Sequence, residues 1–426
     1  MGILLFLLAV VLAVWIREAV LHRLALRAIP TRIHVNGSRG KSSVTRLIAA
    51  ALREGGIRTV AKVTGSKARL ILPDGTEEPV VRLGTPNLWE QMVILNRARR
   101  MRAEAMVMEC MAVRPDLQGV AEHQIMHSTI GVITNIRPDH LDVMGPTVED
   151  VAFALSATVP KGGTIVLGDS RYSALVGRVA RSRGCELRTA RAEDVRAEAM
   201  APFLYLEHEE NVATVLEVTR LCGVADDVAL RGMYKAIPDI GACLVWRFRH
   251  RECAMEFHNI FAANDIESTV AVWRKLGLDW SPEETGERTV AILNLRADRL
   301  DRSMQFAESV ERSIRADHYI VIGGAPVRVR QRFEEQVPEG RLWFSFGETA
   351  ESLFDRIAKV SRGRARVAGI GNIGGPGHGV LAFAARAEGA SAAAVSDVPG
   401  AVAAVLGVSP APLDAGPGAP LPTGGL

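Results

Sequence analysis

Cysteine is scarce in this chain, and what there is does not pair up. The 426 residues hold five, Cys110, Cys185, Cys222, Cys243 and Cys253. The count is odd and no Cys-x-x-Cys occurs, so neither a disulfide framework nor a thiolate zinc site is indicated. Reduced thiols of a cytosolic compartment fit this usage. Excess charge is missing too: 51 Lys and Arg stand against 48 Asp and Glu, a net +3. That balance argues against a protein held on nucleic acid by broad electrostatics, and no nucleic-acid partner is expected. No internal repeat is visible. A single hydrophobic core rarely grows past roughly 250–300 residues, so two or three domains are expected.

No basic region precedes Ile3, so the apolar start lacks the opening of a cleaved signal peptide. Met1 to Ile16 is uninterrupted apolar sequence, and Arg17-Glu18 ends it. A bilayer span needs ~17–25 residues, and Ala19-Val20-Leu21 supply the remainder if Arg17 snorkels. A buried soluble helix is the alternative. The expectation is a membrane anchor over residues 1–22. Arg17, Arg23, Arg27 and Arg32 all lie on its C-terminal side. The positive-inside tendency then gives a single-pass protein of the cell membrane whose catalytic domains face the cytoplasm.

The chain is organised around Ile33-His34-Val35-Asn36-Gly37-Ser38-Arg39-Gly40-Lys41-Ser42-Ser43. A β-branched strand runs into a glycine turn, then into a helix. Gly37 and Gly40 let backbone N–H groups approach an anion, and the helix adds its unpaired N–H groups and positive dipole end. Lys41 reaches β- and γ-phosphates and Ser42 can ligate Mg²⁺. The spacing departs from the strict P-loop: two residues, not four, separate the glycines. The bland alternative is a plain strand–turn–helix junction.

Alternating elements follow. Strands are expected at Ile33–Val35, Thr59–Val63, Glu104–Met108, Thr129–Asn135 and Gly163–Leu167, with helices at Ser43–Glu54, Tyr172–Ser182 and Asn211–Leu221. Near-continuous apolar strands separated by helices indicate a parallel sheet covered on both faces. Ile237-Pro238-Asp239-Ile240-Gly241 is turn chemistry and marks a domain boundary. A second βα series follows, with strands near Ala254–Ile260, Thr289–Leu295, His318–Ile322, Leu342–Phe346 and Arg366–Ile370. The fold class is therefore α/β: a membrane helix, a central P-loop domain over 23–240 and a smaller Rossmann-like α/β domain over 241–392. Residues 393–426 are Ala, Gly and Pro with little charge. Such a tail buries too little apolar surface to offset its ordering entropy, and disorder is expected.

Ligands of such sheets sit at the C-terminal ends of the strands. Glu109 ends an apolar strand there, where a carboxylate is costly to bury unless paired or metal-bound; a solvated strand end is the alternative. Asn135-Ile136-Arg137-Pro138-Asp139-His140-Leu141-Asp142 gathers one imidazole and two carboxylates after the next strand. His140 could ligate a divalent cation, with the acids orienting it. Asn211 sits at a helix start and alone carries no ligand. Arg296-Ala297-Asp298-Arg299-Leu300-Asp301-Arg302 suits ribose and phosphate, since Arg binds phosphate bidentately; a salt-bridged helix start explains it equally well. Gly369-Ile370-Gly371-Asn372-Ile373-Gly374 has dinucleotide spacing but no convincing acidic ribose partner beyond it.

Together these pieces resemble the Mur ligase superfamily of ATP-dependent amide ligases. The short glycine spacing is that family's own form. Glu109-Cys110-Met111-Ala112-Val113-Arg114-Pro115-Asp116, Asp142-Val143-Met144-Gly145-Pro146-Thr147, Phe261-Ala262-Ala263-Asn264-Asp265, Arg296–Arg302 and Gly371-Asn372-Ile373 look closer to one branch, the ligase subunits of poly-γ-glutamate synthases (PgsB/CapB type). The resemblance implies that Gly37, Ser38, Arg39, Gly40, Lys41, Ser42 and Ser43 hold the ATP phosphates. Ser42, Glu109 and His140 would surround magnesium ions (Mg²⁺). Asn135 and Asn211 would line the nucleotide site, and Asp298 and Arg302 would reach the nucleotide. Lys41, Glu109 and His140 would carry catalysis. Glutamate and the growing poly-γ-glutamate chain would be substrates, and other membrane subunits partners. Gly369–Gly374 would then belong to the fold. Two features depart from the family. Glu149–Val159 contains no lysine where many Mur ligases carry a modified one, and the boundary turn Pro238–Ala242 lacks the usual arginine. The competing function is a membrane-anchored P-loop ATPase or kinase energising transport.

Overall fold

The computed structural model describes residues 2–392 apart from 65–67, 83–85, 201, 204, 206, 239–243, 262, 264–265, 279–286, 362 and 388–390. The tail expected to be disordered and most of the boundary turn lie outside the described residues. So do Ala262, Asn264 and Asp265 of the Phe261–Asp265 segment.

The chain divides into two compact units, 1–243 and 244–426. The first opens with helix α1, Gly2–Ala28. Its outer part is apolar all round and exposed; Ile3 is 80% and Trp15 68% exposed. A side chain of this kind gains roughly 1.5–3 kcal/mol on leaving water, so such a helix seeks an apolar surrounding. The helix does not stop near residue 22, as the sequence suggested. It runs on to Ala28, because His22 and Ala25 are buried against the domain. Arg32 then caps it, donating from one guanidinium nitrogen to the carbonyls of Leu26 (3.1 Å) and Ile29 (2.7 Å). The same side chain donates to Met126 (3.2 Å) and His127 (2.8 Å), at the end of the π-helix Ala121–Met126. A cation thus meets two helix C-termini at once.

Eight strands form the first sheet: β1 Thr31–Asn36, β2 Thr59–Val63, β3 Arg69–Ile71, β4 Glu77–Pro79, β5 Ala105–Glu109, β6 Ile130–Ile133, β7 Thr164–Leu167 and β8 Glu186–Thr189. Their order is β4-β3-β2-β5-β1-β6-β7-β8. From β2 to β8 all neighbours run parallel, whereas β3 and β4 add an antiparallel edge. β2, β5 and β6 are buried throughout, as expected of strands covered on both faces. Side chains alternate between two cores. Ile33, Val35, Ala61, Val63, Ala105 and Val107 meet helix α2, Lys41–Glu54, and the helix Glu209–Leu221. Val60, Met106 and Met108 face the other way, against Ala25 of α1 and Ile94, Leu95 and Ala98 of α3, Trp89–Arg100. On that second face His34 of β1 meets Glu122 of the π-helix at 2.8 Å, both fully buried. Glu122 also accepts from the Ser128 backbone N–H (2.9 Å) and hydroxyl (2.8 Å).

The second unit has seven strands: β9 Val245–His250, β10 Cys253–Asn259, β11 Arg288–Leu295, β12 His318–Gly323, β13 Leu342–Phe344, β14 Arg364–Gly371 and β15 Ser391–Ala392. The order is β13-β12-β11-β14-β10-β9-β15, parallel from β13 to β10 and antiparallel beyond. Gly369 and Gly371 lie inside β14. A Cβ on Gly369 would come within 2.5 Å of the Phe261 ring, so this glycine serves close packing.

Candidate active site

The glycine loop follows β1 and is held from the side by the segment after β6. Gly37 has φ +138°, and a Cβ there would lie 2.1 Å from Thr134 Oγ1. Only glycine fits, on both counts. The Ser38 N–H donates to the Asn135 carbonyl at 3.0 Å, and its hydroxyl donates to the Arg137 carbonyl at 2.9 Å. The Asn135 side chain accepts from the Arg39 N–H (3.0 Å) and donates to the Arg39 carbonyl (3.1 Å). Asn135 thus reads the loop backbone in both directions and fixes its shape. Gly40 adopts φ +76° and precedes α2 with no side-chain cap, so the helix presents its first-turn N–H groups uncovered. Ser43 lies in that first turn.

Lys41 Nζ folds back on the loop, donating to the carbonyls of Gly37 (2.6 Å) and Ser38 (3.3 Å). It has no carboxylate partner among the described residues. Next to it in α2, the Ser42 hydroxyl donates to Glu109 Oε2 at 3.0 Å, and the Thr64 N–H donates to the same oxygen at 2.6 Å. Glu109 is the last residue of β5 rather than the first beyond it, and it is buried. The fully buried Lys62 of β2 bears on it electrostatically and pairs with Glu90 of α3 at 2.8 Å. Burial pulls the Lys62 ammonium below its usual pKa, while Glu90 partly restores it. Burial works against the Glu90 charge, yet Arg82 and Lys62 hold that carboxyl below its usual range.

His140 sits beyond β6 in the left-handed region, φ +47°, at the start of a four-residue helix, Leu141–Met144. Its Nε2 lies 3.9 Å from Asp139, which Arg39 approaches to 3.6 Å. Arg39, expected at the phosphates, is thereby linked to the His140 loop. Asn211 occupies the first turn of its helix, donates to Glu207 at 2.6 Å, and sets its Oδ1 so close to Gly40 that a Cβ there would come within 2.8 Å. Sequence reasoning named Asn211 but missed its buried partner Glu207, one of several acids in a row. It also missed Thr134 and the Lys62–Glu90 pair. Asp298 and Arg302 belong to the second unit, beyond the C-terminal end of β11. There the exposed Asp298 binds Arg296 with both oxygens, at 2.9 and 2.6 Å.

Among the described residues no three His, Cys, Asp or Glu side chains gather into a metal cage. The Ser42–Glu109 oxygen pair still suits Mg²⁺, which takes one or two protein oxygens and fills its remaining positions with water and phosphate.

The fold is that of solved folylpolyglutamate synthases. Escherichia coli FolC in complex with DHPP and ADP aligns with TM-score 0.64 at 15% identity, covering 86% of this chain and 91% of that one. A bifunctional folylpolyglutamate synthase/dihydrofolate synthase with Mn, AMPPNP and L-glutamate bound aligns with TM-score 0.61 at 15% identity, over 85% and 90%. Residues 35–238 match the Mur ligase middle domain, and residues 245–387 the poly-gamma-glutamate synthase CapB C-terminal domain. The PGA synthase CapB of Bacillus subtilis (strain 168) is 35% identical over 373 residues, 86% of this chain and 93% of that protein. The chain belongs to the CapB family. The capsule biosynthesis protein CapB of Bacillus anthracis is likewise 35% identical, over 86% of this chain and 78% of that one. In this member of the CapB family, the loop, the Ser42–Glu109 pair and the Asn135–Asp142 segment all fall in the region that matches the Mur ligase middle domain.

Proposed function

We propose that the site around Lys41 joins glutamate through its γ-carboxyl group to a growing poly-γ-glutamate chain. As a member of its family the chain is an ATP-dependent amide ligase, and poly-γ-glutamate synthesis is its function; the reading of a transport ATPase is not favoured. At the site, one observation carries the assignment: a glycine loop fixed by Asn135 carries Lys41 and sets the next residue, Ser42, directly against the buried Glu109.

The proposed chemistry has two steps. A γ-carboxylate oxygen attacks the γ-phosphorus of ATP, the bond to the β,γ-bridging oxygen breaks, and ADP leaves an acyl phosphate. The amine of the incoming glutamate then attacks the acyl carbon, phosphate departs, and the amine proton is released. The loop N–H groups and the start of α2 would hold the phosphates. Lys41 would exchange its carbonyl partners for the transferring phosphoryl group, where charge develops. Ser42 and Glu109 would hold Mg²⁺, with His140 as a further ligand; when bound, the cation offsets charge on that phosphoryl group. Asn211 would lie by the adenine, and Asp298 and Arg302 are proposed nucleotide contacts. The Ser42 hydroxyl and the Thr64 N–H fix the position of the Glu109 carboxyl.

Helix α1 is proposed as a single membrane anchor: 27 residues, mean hydropathy 2.5 over its most apolar window, all of that window exposed. Arg17, Arg23 and Arg27 support a cytoplasmic catalytic domain. Other membrane subunits are expected to co-purify. The deciding experiment is ADP release by detergent-purified protein with Mg²⁺-ATP, with and without glutamate, and mass analysis of the products. Glutamate-stimulated ADP release with γ-linked oligomers is the expected result. ADP release indifferent to glutamate would instead favour the transport ATPase.

A further inference from the structure

The second unit carries a concentration of arginine that the reaction does not use. β9 reads Trp246-Arg247-Phe248-Arg249-His250. Its period of two turns Trp246 and Phe248 inward, against Phe257 and Phe354, and leaves Arg247 and Arg249 exposed. The register continues this across the sheet. Ala254 of β10 lies between Arg249 and Arg364, and Glu256 lies between Arg247 and Arg366. These residues, with Arg251 at the turn, line an open groove of about 1000 Å³. The small Ala254 keeps its floor low.

The carboxylates present do not saturate it. Arg247 meets Glu256 at 2.8 Å and Arg366 meets the same carboxylate at 3.4 Å, while Arg364 reaches Glu287 at 3.2 Å. Arg364 is well exposed and such a pair is weak, so a ligand's carboxylate can replace Glu287 there, whereas Glu256 is held by His258 as well as by Arg247. Arg249 has no carboxylate partner among the described residues.

We propose that this groove holds the γ-linked glutamate chain between additions, an inference that rests on the ligase reading above. Repeat length favours that occupant. Same-face residues along a strand recur every ~6.8 Å. A γ-linked glutamate unit contributes five main-chain bonds, roughly 6 Å when extended, with one free carboxylate per unit. Five bonds is an odd number, so successive carboxylates of an extended chain turn to opposite sides, and a polymer lying over β10 faces the arginines of β9 and of β14 in turn. Phe248 and Phe383 also line the groove, so single-stranded nucleic acid, which is held by stacking, is the rival that the test below excludes. A flat bilayer does not follow a concave groove.

The test uses the full chain in detergent and a fluorescent γ-linked glutamate octamer, read by anisotropy. The double variant R249S/R364S should bind the octamer about tenfold more weakly, as two lost charge-assisted contacts imply. With ATP and glutamate it should yield shorter products. Its glutamate-stimulated ADP release with a short acceptor should match the parent chain, which also certifies folding. R249K/R364K should recover most of the binding. Unchanged octamer affinity and product length in R249S/R364S would overturn the inference, as would an oligonucleotide of equal charge binding the parent chain as tightly. A parent chain whose ADP release ignores glutamate would instead count against the ligase reading, and the octamer measurement does not depend on it.

Discussion

The glycine loop of the first unit and the arginine groove of the second both suit anions, by opposite means. The loop uses backbone N–H groups, fixed by Asn135 and by two glycines at positive φ, and the carboxylate that Ser42 meets, Glu109, is buried and bonded. The groove uses long side chains on an exposed sheet face: Arg247 and Arg364 each meet one carboxylate, Arg366 also donates to the Leu276 and Gly277 carbonyls, and Arg251 binds Asp355 with two nitrogens. A rigid cradle recognises one phosphate geometry and must not yield. A row of exposed guanidinium groups recognises spacing and sign, and would let a polymer slide.

The largest effect should separate the two outright. Lys41→Ala removes the cation aimed at the transferring phosphoryl group and should lower ligation by about 10²–10³-fold, while octamer binding stays at the parent value; a parallel fall in both would mean that the regions are not independent. Next comes backbone geometry. Gly37→Ala forces a Cβ onto Thr134, and ATP affinity measured by calorimetry should fall about tenfold or more. The same change at Gly347, which has φ +78° and open space around it, should leave ATP binding intact. Salt sharpens the contrast further. Raising ionic strength should weaken octamer binding several-fold, because exposed charges are screened, and ATP binding much less.

The smallest effect is on stability, and the two regions should fail at opposite ends of the pH scale. In the first unit burial opposes the charge on His34, but Cys110 and Glu122 prevail and raise its pKa well above the ordinary 6.5. A raised pKa stabilises the fold fully below the unfolded value, so this contribution is lost as pH climbs from about 6.5. In the groove, His258 first and Arg247 with it lower Glu256 to about 2 from 4.5, against the pull of burial. A lowered pKa stabilises above the unfolded value, so this contribution is lost as pH falls from 4.5 toward 2. Thermal melts of the parent chain, H34Q and E256Q across pH should show each substitution flattening one limb only.

Much of this was legible in the sequence, for physical reasons. The central parallel strands β2, β5, β6, β7, β11 and β12 are largely apolar on both faces and announce themselves, whereas the edge strand β8, Glu186-Leu187-Arg188-Thr189, does not and was missed. The Asn36–Ser43 spacing specifies its own turn, so the loop, Lys41 and Ser42 could be named before any coordinates. Pairings between distant segments could not. Lys62 and Glu90 sit in different elements with nothing local to mark them as partners. β3 and β4 were missed because three-residue strands carry too short a pattern, although Pro73-Asp74-Gly75 between them is turn chemistry. β9 shows a plain period of two, yet its alternating arginines resemble any solvated face until the register sets β14's arginines beside them.

Helix α1 has a mechanical consequence. It is 27 residues long, about 40 Å at 1.5 Å per residue, and only Ile29 and Pro30 separate it from β1. β1 in turn ends at the glycine loop. With α1 as the proposed anchor, no slack tether stands between bilayer and nucleotide site. Lipid, helix, Arg32 clamp and P-loop strand form one stiff lever, so the enzyme would meet its substrates at a set height and tilt above the membrane instead of sampling the volume that a flexible stalk would sweep.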